Sequence, residues 1–235
     1  MSRACTRLGA ALLCPAMVVL AALMGGQALA RDVVTIAPSA RCGPADALGR
    51  MHCAVGWDDD RMLGALEPQQ ALQWCWAAAV ASLIKDAGHV QSQMAIVEEQ
   101  FGAVVDRPLT KHGLLDLLNR VWTDERGNTF RSRAAELPPA GDLRAVAPTV
   151  LNELDAGRPL ILGVRGGPAS QGHIVLLAQA HFELYLNEDA VRLTGGKVID
   201  PAPGEGVRPL RFTEIRPFFV ATVRVESGAA CPPAG

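Results

Sequence analysis

The sequence is poor in the residues that nucleic-acid-binding proteins use. It contains one tyrosine and six phenylalanines in 235 residues, and basic and aromatic residues are not interleaved anywhere. Its 22 lysines and arginines are balanced by 24 aspartates and glutamates, which gives a net charge of −2. Nucleic-acid-binding domains usually carry a basic patch. We therefore expect no nucleic-acid partner.

Spacings typical of metal ligands are also missing. Neither Cys-x-x-Cys nor His-x-x-x-His occurs in the chain, and these are common arrangements in protein metal sites. We therefore predict neither a metal nor any other cofactor. The chain has no internal repeat and no low-complexity tract, and its length suits one domain with two lobes around a single cleft.

The one long hydrophobic run lies at the N-terminus. An apolar stretch over residues 8–24 follows two arginines, and Ala28-Leu29-Ala30 then supplies small residues at the −3 and −1 positions of a cleavage site. These three features are typical of a secretory signal. Pro15 interrupts the stretch, which is shorter than the ~20 apolar residues of a transmembrane helix. The pattern predicts a signal peptide over residues 1–30, cleaved after Ala30, rather than a membrane anchor.

Export brings a protein into an oxidising compartment. We expect a secreted or periplasmic protein that has no contact with the membrane once its signal is removed. Four cysteines follow the signal: Cys42, Cys53, Cys75 and Cys231. Cys42 and Cys53 enclose a short loop and are the natural pair, but Cys231 is a second candidate partner for either one, so the spacing leaves the pairing open. The oligomeric state is equally open.

Apolar periodicity predicts helices first and strands afterwards. The predicted helices cover residues 74–87 (ending at Gly88), 91–101, 113–119 (capped by Thr110) and 146–156. The predicted strands cover residues 159–164, 173–179, 182–186, 191–200 and 218–225. Turn formers predict an extended segment over 31–66 with little regular structure apart from a short strand at Val33–Ile36, and a loop between 127 and 139. The order of elements predicts an α+β fold.

Cys75 is the residue that points most directly to chemistry. It lies between two tryptophans, Trp74 and Trp76, and three alanines follow, at the predicted start of a helix. The positive end of a helix dipole favours a thiolate over a thiol. Many cysteines in apolar runs are simply small buried hydrophobic residues, but the polar residues around Cys75 favour a nucleophile.

A glutamine upstream of Cys75 is the candidate donor for an oxyanion. Gln69 precedes the cysteine by six residues, and its side-chain amide together with the Cys75 backbone N–H would hold the developing negative charge. Gln70, five residues away, is the second choice. Gln73 is too close along the chain to fold back easily.

His173 and Asp200 are the candidate base and its orienting carboxylate. His173 follows Gly172 at the mouth of a very apolar strand, and Asp200 ends another strand just before a proline. A carboxylate in this place fixes the tautomer of an imidazole and stabilises its cation. His181, near the far end of the same predicted strand, is the rival base. Asp189 is less suited because it lies at a predicted hairpin tip.

Together these residues resemble the papain-like cysteine peptidases, and most closely the bacterial Cys-Trp-Ala-Ala type found among plant-pathogen effector peptidases. The resemblance rests on Gln69 with Trp74-Cys75-Trp76-Ala77-Ala78, on Gly172-His173-Ile174-Val175 and on Val198-Ile199-Asp200-Pro201. It implies a papain-like peptidase domain over residues 67–225, with the cysteine helix packed on a C-terminal antiparallel sheet. Residues 226–235 would form a tail.

The resemblance implies that Cys75, His173 and Asp200 form a catalytic triad and that Gln69 donates to the oxyanion. The expected activity is hydrolysis of peptide bonds in a peptide or protein substrate. The chain departs from the family in the stretch between His173 and Asp200, which is long enough for an extra hairpin, and in its export signal. The alternatives are an amidase or acyltransferase on cell-wall peptides, and an exported binding module without turnover.

Overall fold

The structure is a computed structural model that describes residues 37–138, 142–166, 172–185 and 190–227. Several predictions lie outside these ranges: the signal peptide, the strand at Val33–Ile36, Asp189, Cys231 and most of the tail. No helix within the described residues is long and apolar enough to cross a membrane.

The described residues form an α+β fold with nine strands and five α-helices. The strands are β1 (Arg41–Cys42), β2 (Arg50–Gly56), β3 (Val121–Thr123), β4 (Thr129–Glu136), β5 (Leu160–Val164), β6 (His173–Tyr185), β7 (Ala190–Asp200), β8 (Gly206–Pro209) and β9 (Phe219–Ser227). The helices are α1 (Asp59–Ala65), α2 (Cys75–Asp86), α3 (Gln93–Phe101), α4 (Lys111–Leu118) and α5 (Ala147–Asp155). Two short 3-10 helices cover Leu143–Val146 and Phe212–Ile215.

The strands form one antiparallel sheet in the order β1-β2-β6-β5-β9-β4-β3, with β7 and then β8 added beside β6. Strand β6 organises the sheet. Its first residues pair with β5, as Val164 lies opposite His173, and its later residues pair with β2, as Gly56 lies opposite Gln179. Strand β7 runs along the other side of β6. The start of β6 and the end of β7 therefore lie at the same end of the sheet.

Alternate residues of β6 face two separate hydrophobic cores. Leu176 and Ala178 lie in the core that contains helix α2, whereas Val175 and Leu177 lie in the core that contains helix α5. Side chains on a strand alternate between the two faces of a sheet, so the two helices cover opposite faces. All ten residues from Cys75 to Ile84 are buried, which explains why no charged residue occurs in α2 before Lys85.

The structure confirms most of the predicted helix ends. Thr110 accepts a hydrogen bond from the Gly113 backbone N–H at the start of α4, and Gly102 ends α3 in the left-handed conformation. The disulfide joins Cys42 to Cys53, which lie directly opposite each other on β1 and β2.

Three predictions about secondary structure are wrong. The segment predicted over 31–66 is not largely irregular in its described part, residues 37–66, because strand β2 joins the main sheet through β6 and helix α1 follows it. The predicted loop over 127–139 contains strand β4, which pairs with β3 and β9. The separate strands predicted at 173–179 and 182–186 form one continuous strand, β6, with two irregularities in its pairing.

Candidate active site

Cys75 is the first residue of α2, and its thiol is free. The N-cap residue, Trp74, makes no side-chain hydrogen bond to the start of this helix, so its side chain does not satisfy the first backbone N–H groups beside the cysteine. The flanking tryptophans bind the backbone of the loop that follows helix α3. The Trp74 indole donates to the carbonyl of Val105 and the Trp76 indole donates to that of Arg107. Both tryptophans are buried.

His173 opens strand β6 and is only 3 % exposed. Gly172 before it has φ +113°, a conformation that favours glycine. A side chain at Gly172 or at Gly163 would meet the ring of Phe218 at about 3 Å or less. The two glycines thus make room for an aromatic ring beside the histidine.

Asp200 ends strand β7 and is 1 % exposed. Its Oδ1 lies 2.6 Å from His173 Nε2 and also accepts a hydrogen bond from the Ala202 backbone N–H at 2.9 Å. Because Nε2 binds the carboxylate, Nδ1 is the ring nitrogen left to face Cys75, which lines the same cleft as His173. The structure therefore brings together the cysteine, the histidine and the aspartate that the sequence singled out.

The electrostatics of this group favour a protonated ring. Burial on its own lowers the pKa of His173, but the hydrogen bonds and charges of Asp200 and Cys75 outweigh it and raise the pKa to about 9. Burial on its own raises the pKa of Asp200, but the His173 hydrogen bond and charge, with the Ala202 and Arg208 hydrogen bonds, lower it. Both shifts favour an imidazolium bound to a carboxylate at neutral pH.

Arg208 lies behind Asp200, and sequence reasoning missed it. Its Nε and Nη2 donate to Asp200 Oδ2 at 3.0 and 2.6 Å, while Nη1 and Nη2 donate to Glu214 at 2.8 and 2.7 Å. The remaining donor goes to the carbonyl of Pro209. The only sequence signal is a basic residue eight positions after Asp200, across a Pro-Gly turn. That residue reaches the carboxylate only because β7 and β8 form a hairpin.

A cleft of about 280 Å³ opens onto the cysteine and the histidine. Its lining is mostly apolar: Gln73, Cys75, Trp76, Pro108, Leu109, Thr110, Lys111, Leu114, Gly172, His173, Ile174, Phe218 and Phe219. Phe218 is 46 % exposed and lines one side of the cleft. The cleft therefore places a largely hydrophobic surface next to the thiol.

Gln69 lies in the loop before α2, but its amide is engaged elsewhere. Both Nε2 hydrogens go to backbone carbonyls, those of Ala71 and Leu72, each at 3.0 Å. Gln73, which we ranked below it, lies in the cleft wall beside Cys75. In this resting arrangement, an oxyanion role for Gln69 requires one of its two hydrogen bonds to be exchanged for one to the substrate.

The loop that carries Gln69 is nevertheless firmly held. The side chain of Gln93, which is buried, donates to the carbonyl of Pro68 and accepts from the backbone N–H of Gln70. The backbone N–H of Gln69 donates to the carbonyl of Pro201, the residue after Asp200. The loop before the cysteine and the strand end that carries the aspartate are thus tied together.

The rival histidine lies away from this site. His181 is eight residues along β6 from His173, about 26 Å at the usual rise of a strand. Its Nε2 contacts Gln179, and burial together with the charge of Lys197 lowers its pKa. Within the described ranges, no group of three or more histidines, cysteines or carboxylates is placed to hold a metal ion.

A scan against protein-family models finds no match, and a search of curated protein sequences finds none either. Among solved structures, the chain is similar to the peptidase domain of Streptococcus ComA, a bi-functional ABC transporter involved in a quorum-sensing pathway. The TM-score is 0.45 and the sequence identity 16 %, over 69 % of this chain and 98 % of that one.

Proposed function

We propose that the chain is an exported cysteine peptidase of the papain-like type. One observation carries the proposal: a buried imidazole that contacts a carboxylate through Nε2 lines the same cleft as a free thiol at the start of a helix, the only free thiol of the described residues. A cysteine helix packed against a histidine-bearing antiparallel sheet is the arrangement expected of that family. The predicted signal peptide is the basis for proposing export.

The reaction begins with the Cys75 thiolate, which attacks the carbonyl carbon of a peptide bond. The oxygen of that carbonyl becomes an oxyanion, held by the Cys75 backbone N–H and the amide of Gln69, with Gln73 in the cleft wall as the alternative donor. The tetrahedral intermediate collapses as the C–N bond breaks. The protonated His173 ring gives its proton to the leaving amine.

Water then completes the cycle. The neutral His173 ring takes a proton from a water molecule, which attacks the thioester carbonyl of the acyl-enzyme. When the thioester breaks, the carboxylic acid product leaves and the thiolate and imidazolium are restored. Asp200 holds the ring in one tautomer throughout and stabilises its charged form.

The mostly apolar lining of the cleft favours a peptide substrate over the sugar portion of a cell-wall fragment. Only Lys111 is charged among the lining residues other than the proposed catalytic pair, and Glu136 already pairs with it. A cleft of this composition suits hydrophobic side chains next to the scissile bond. The substrate class we propose is therefore peptide or protein.

The exported chain, assayed on fluorescently labelled casein and on cell-wall stem peptides, tests the proposal. We expect casein hydrolysis that iodoacetamide abolishes. If the protein releases products only from cell-wall peptides, its activity is that of an amidase rather than a general peptidase. A chain that turns over neither substrate and reacts with no thiol-directed activity probe would be a binding module, and the proposal would be wrong.

A further inference from the structure

Arg208 is a charged side chain that contacts Asp200 directly and that the reaction above does not use. Its contacts are unusually complete: all five guanidinium N–H groups donate hydrogen bonds, two to Asp200, two to Glu214 and one to a backbone carbonyl. Arg208 is 9 % exposed, and both carboxylates are more deeply buried. A solvent-exposed arginine would leave some of its N–H groups to water rather than donate all five to protein acceptors.

The two oxygens of the Asp200 carboxylate have different partners. Oδ2 is occupied by Arg208 alone, and Oδ1 is left for His173 and the Ala202 backbone N–H. A carboxylate free to rotate about its Cβ–Cγ bond would present either oxygen to the ring at varying distance. With Oδ2 fixed by a planar guanidinium, the orientation of the carboxylate is fixed, and with it the ring of His173.

Glu214 fixes the arginine in turn. It lies in the 3-10 helix after β8, is 3 % exposed, and accepts a hydrogen bond from the Arg211 backbone N–H. The fork between Arg208 and Glu214 uses both carboxylate oxygens. Such a geometry holds the guanidinium plane in one orientation, which a lysine ammonium does not do.

We propose that Arg208 is a positioning residue that holds Asp200 in the orientation in which it binds His173. This inference rests on the proposed function, because the orientation matters for catalysis only if His173 transfers protons. Arg208 touches neither the thiol nor the cleft, and it acts through the aspartate. Glu214 anchors it from the other side.

The titratable and charged groups near the His173–Asp200 pair all influence the pH dependence of activity. They are Cys75 of α2, Arg208 of β8, Glu205 of the turn before β8, and Glu214 and Arg211 at the second 3-10 helix. Removing Arg208 deletes the positive charge next to Asp200. The neighbouring acids then hold their protons to higher pH. The acid side of the activity profile should move to higher pH as a result.

The test compares two variants that differ only at Arg208. Arg208→Gln alone leaves two buried carboxylates without their shared cation and endangers folding, so the variant to use is Arg208→Gln combined with Glu214→Gln. Its matched control is Glu214→Gln alone, which keeps Arg208 on Asp200. We expect kcat of the double variant to be lower by up to about 100-fold, the scale of a ~1 Å misplacement. KM should change little, because Arg208 lies outside the cleft.

Arg208→Lys separates charge from orientation. It keeps the positive charge, so the acid side of its profile should stay close to that of the unmodified protein, while kcat falls because one ammonium does not hold both carboxylates in a plane. If the double variant does not fold, this variant alone decides. A native kcat in Arg208→Lys, or equal kcat and pH profiles in the double variant and its control, would overturn the proposal.

One readout does not depend on turnover. The Nε2–H proton of His173, seen by NMR in the resting protein, reports its hydrogen bond to Asp200. We expect its resonance to shift or broaden in the double variant and to stay unchanged in Glu214→Gln. If the unmodified chain hydrolyses nothing, the peptidase proposal fails on its own. An unshifted resonance in the double variant contradicts the role of Arg208 whatever the activity.

Discussion

Replacing Cys75 by alanine should abolish peptide hydrolysis and leave the protein folded. Loss of a covalent nucleophile typically costs roughly 10⁴-fold or more in kcat. The change removes one buried sulfur at the start of α2, and alanine is the best helix former. We therefore expect the melting temperature to change little. The measurement is turnover of a fluorogenic peptide, with thermal unfolding recorded on the same samples.

The same variant should lose its labelling by iodoacetamide at this position. Mass spectrometry of the peptide that contains residue 75 separates this label from any on Cys231. His181→Ala is the matched control, because it removes a partly buried histidine of the same sheet that lies away from the thiol. It should keep full activity. Turnover that survives in Cys75→Ala would mean that another group performs the chemistry.

Replacing Asp200 by asparagine should lower kcat by roughly 10³-fold to 10⁴-fold, the size of effect seen when a triad aspartate is lost. Every group around this carboxylate is a donor: His173 and the Ala202 N–H on one oxygen, Arg208 on the other. An asparagine amide has one oxygen and one NH₂. Whichever way it turns, the NH₂ meets a donor, so it displaces either Arg208 or the ring.

The pH profile of Asp200→Asn gives the sign of the effect. The hydrogen bond and charge of Asp200 contribute to raising the pKa of His173 to about 9. Without them that pKa falls, so the proton needed by the leaving amine is lost at lower pH. The alkaline limb of the pH profile of kcat/KM should therefore shift to lower pH. Asp86→Asn is the matched control, since Arg61 holds that carboxylate through two hydrogen bonds far from the site.

Local signals were sufficient for helices α2 to α5, whereas α1 was missed. Thr110 and Gly102 act within one turn of the chain, as an N-cap hydrogen bond and a left-handed C-cap. Strand β4 was missed because its inward positions include a serine. Ser132 is buried, but its hydroxyl accepts a hydrogen bond from the Trp122 indole at 2.7 Å. Because that partner comes from another strand, the sequence of β4 alone looks like a polar loop.

Strand β6 shows a second limit of periodicity. Its pairing with β7 shifts between Leu177 and Gln179 and again between His181 and Phe182. Each irregularity disturbs the period-two alternation that marks a strand, so the pattern reads as two short strands. Strand β2 was missed because it is an added strand whose neighbour, β6, lies more than 100 residues away in sequence.

The residues of the candidate site likewise differ in how far the sequence alone identifies them. Cys75 and His173 carry local marks, a helix start and a glycine-flanked strand mouth, and both were identified from the sequence. Arg208 carries none, because its role depends on the register of the β7–β8 hairpin. The relative places of Gln69 and Gln73 depend on how the loop before α2 folds back, which the spacing of residues does not determine.

The most direct test of the account is an NMR titration of the His173 ring in the uninhibited protein, with the resonance assigned from a His173→Gln variant. The account predicts that the ring keeps its proton up to a pKa of about 9, and that Cys75→Ala lowers this value without restoring the usual 6.5. A ring that titrates near pH 6.5 and is insensitive to Cys75 would contradict the claim that Asp200 and Cys75 keep the His173 ring protonated at neutral pH.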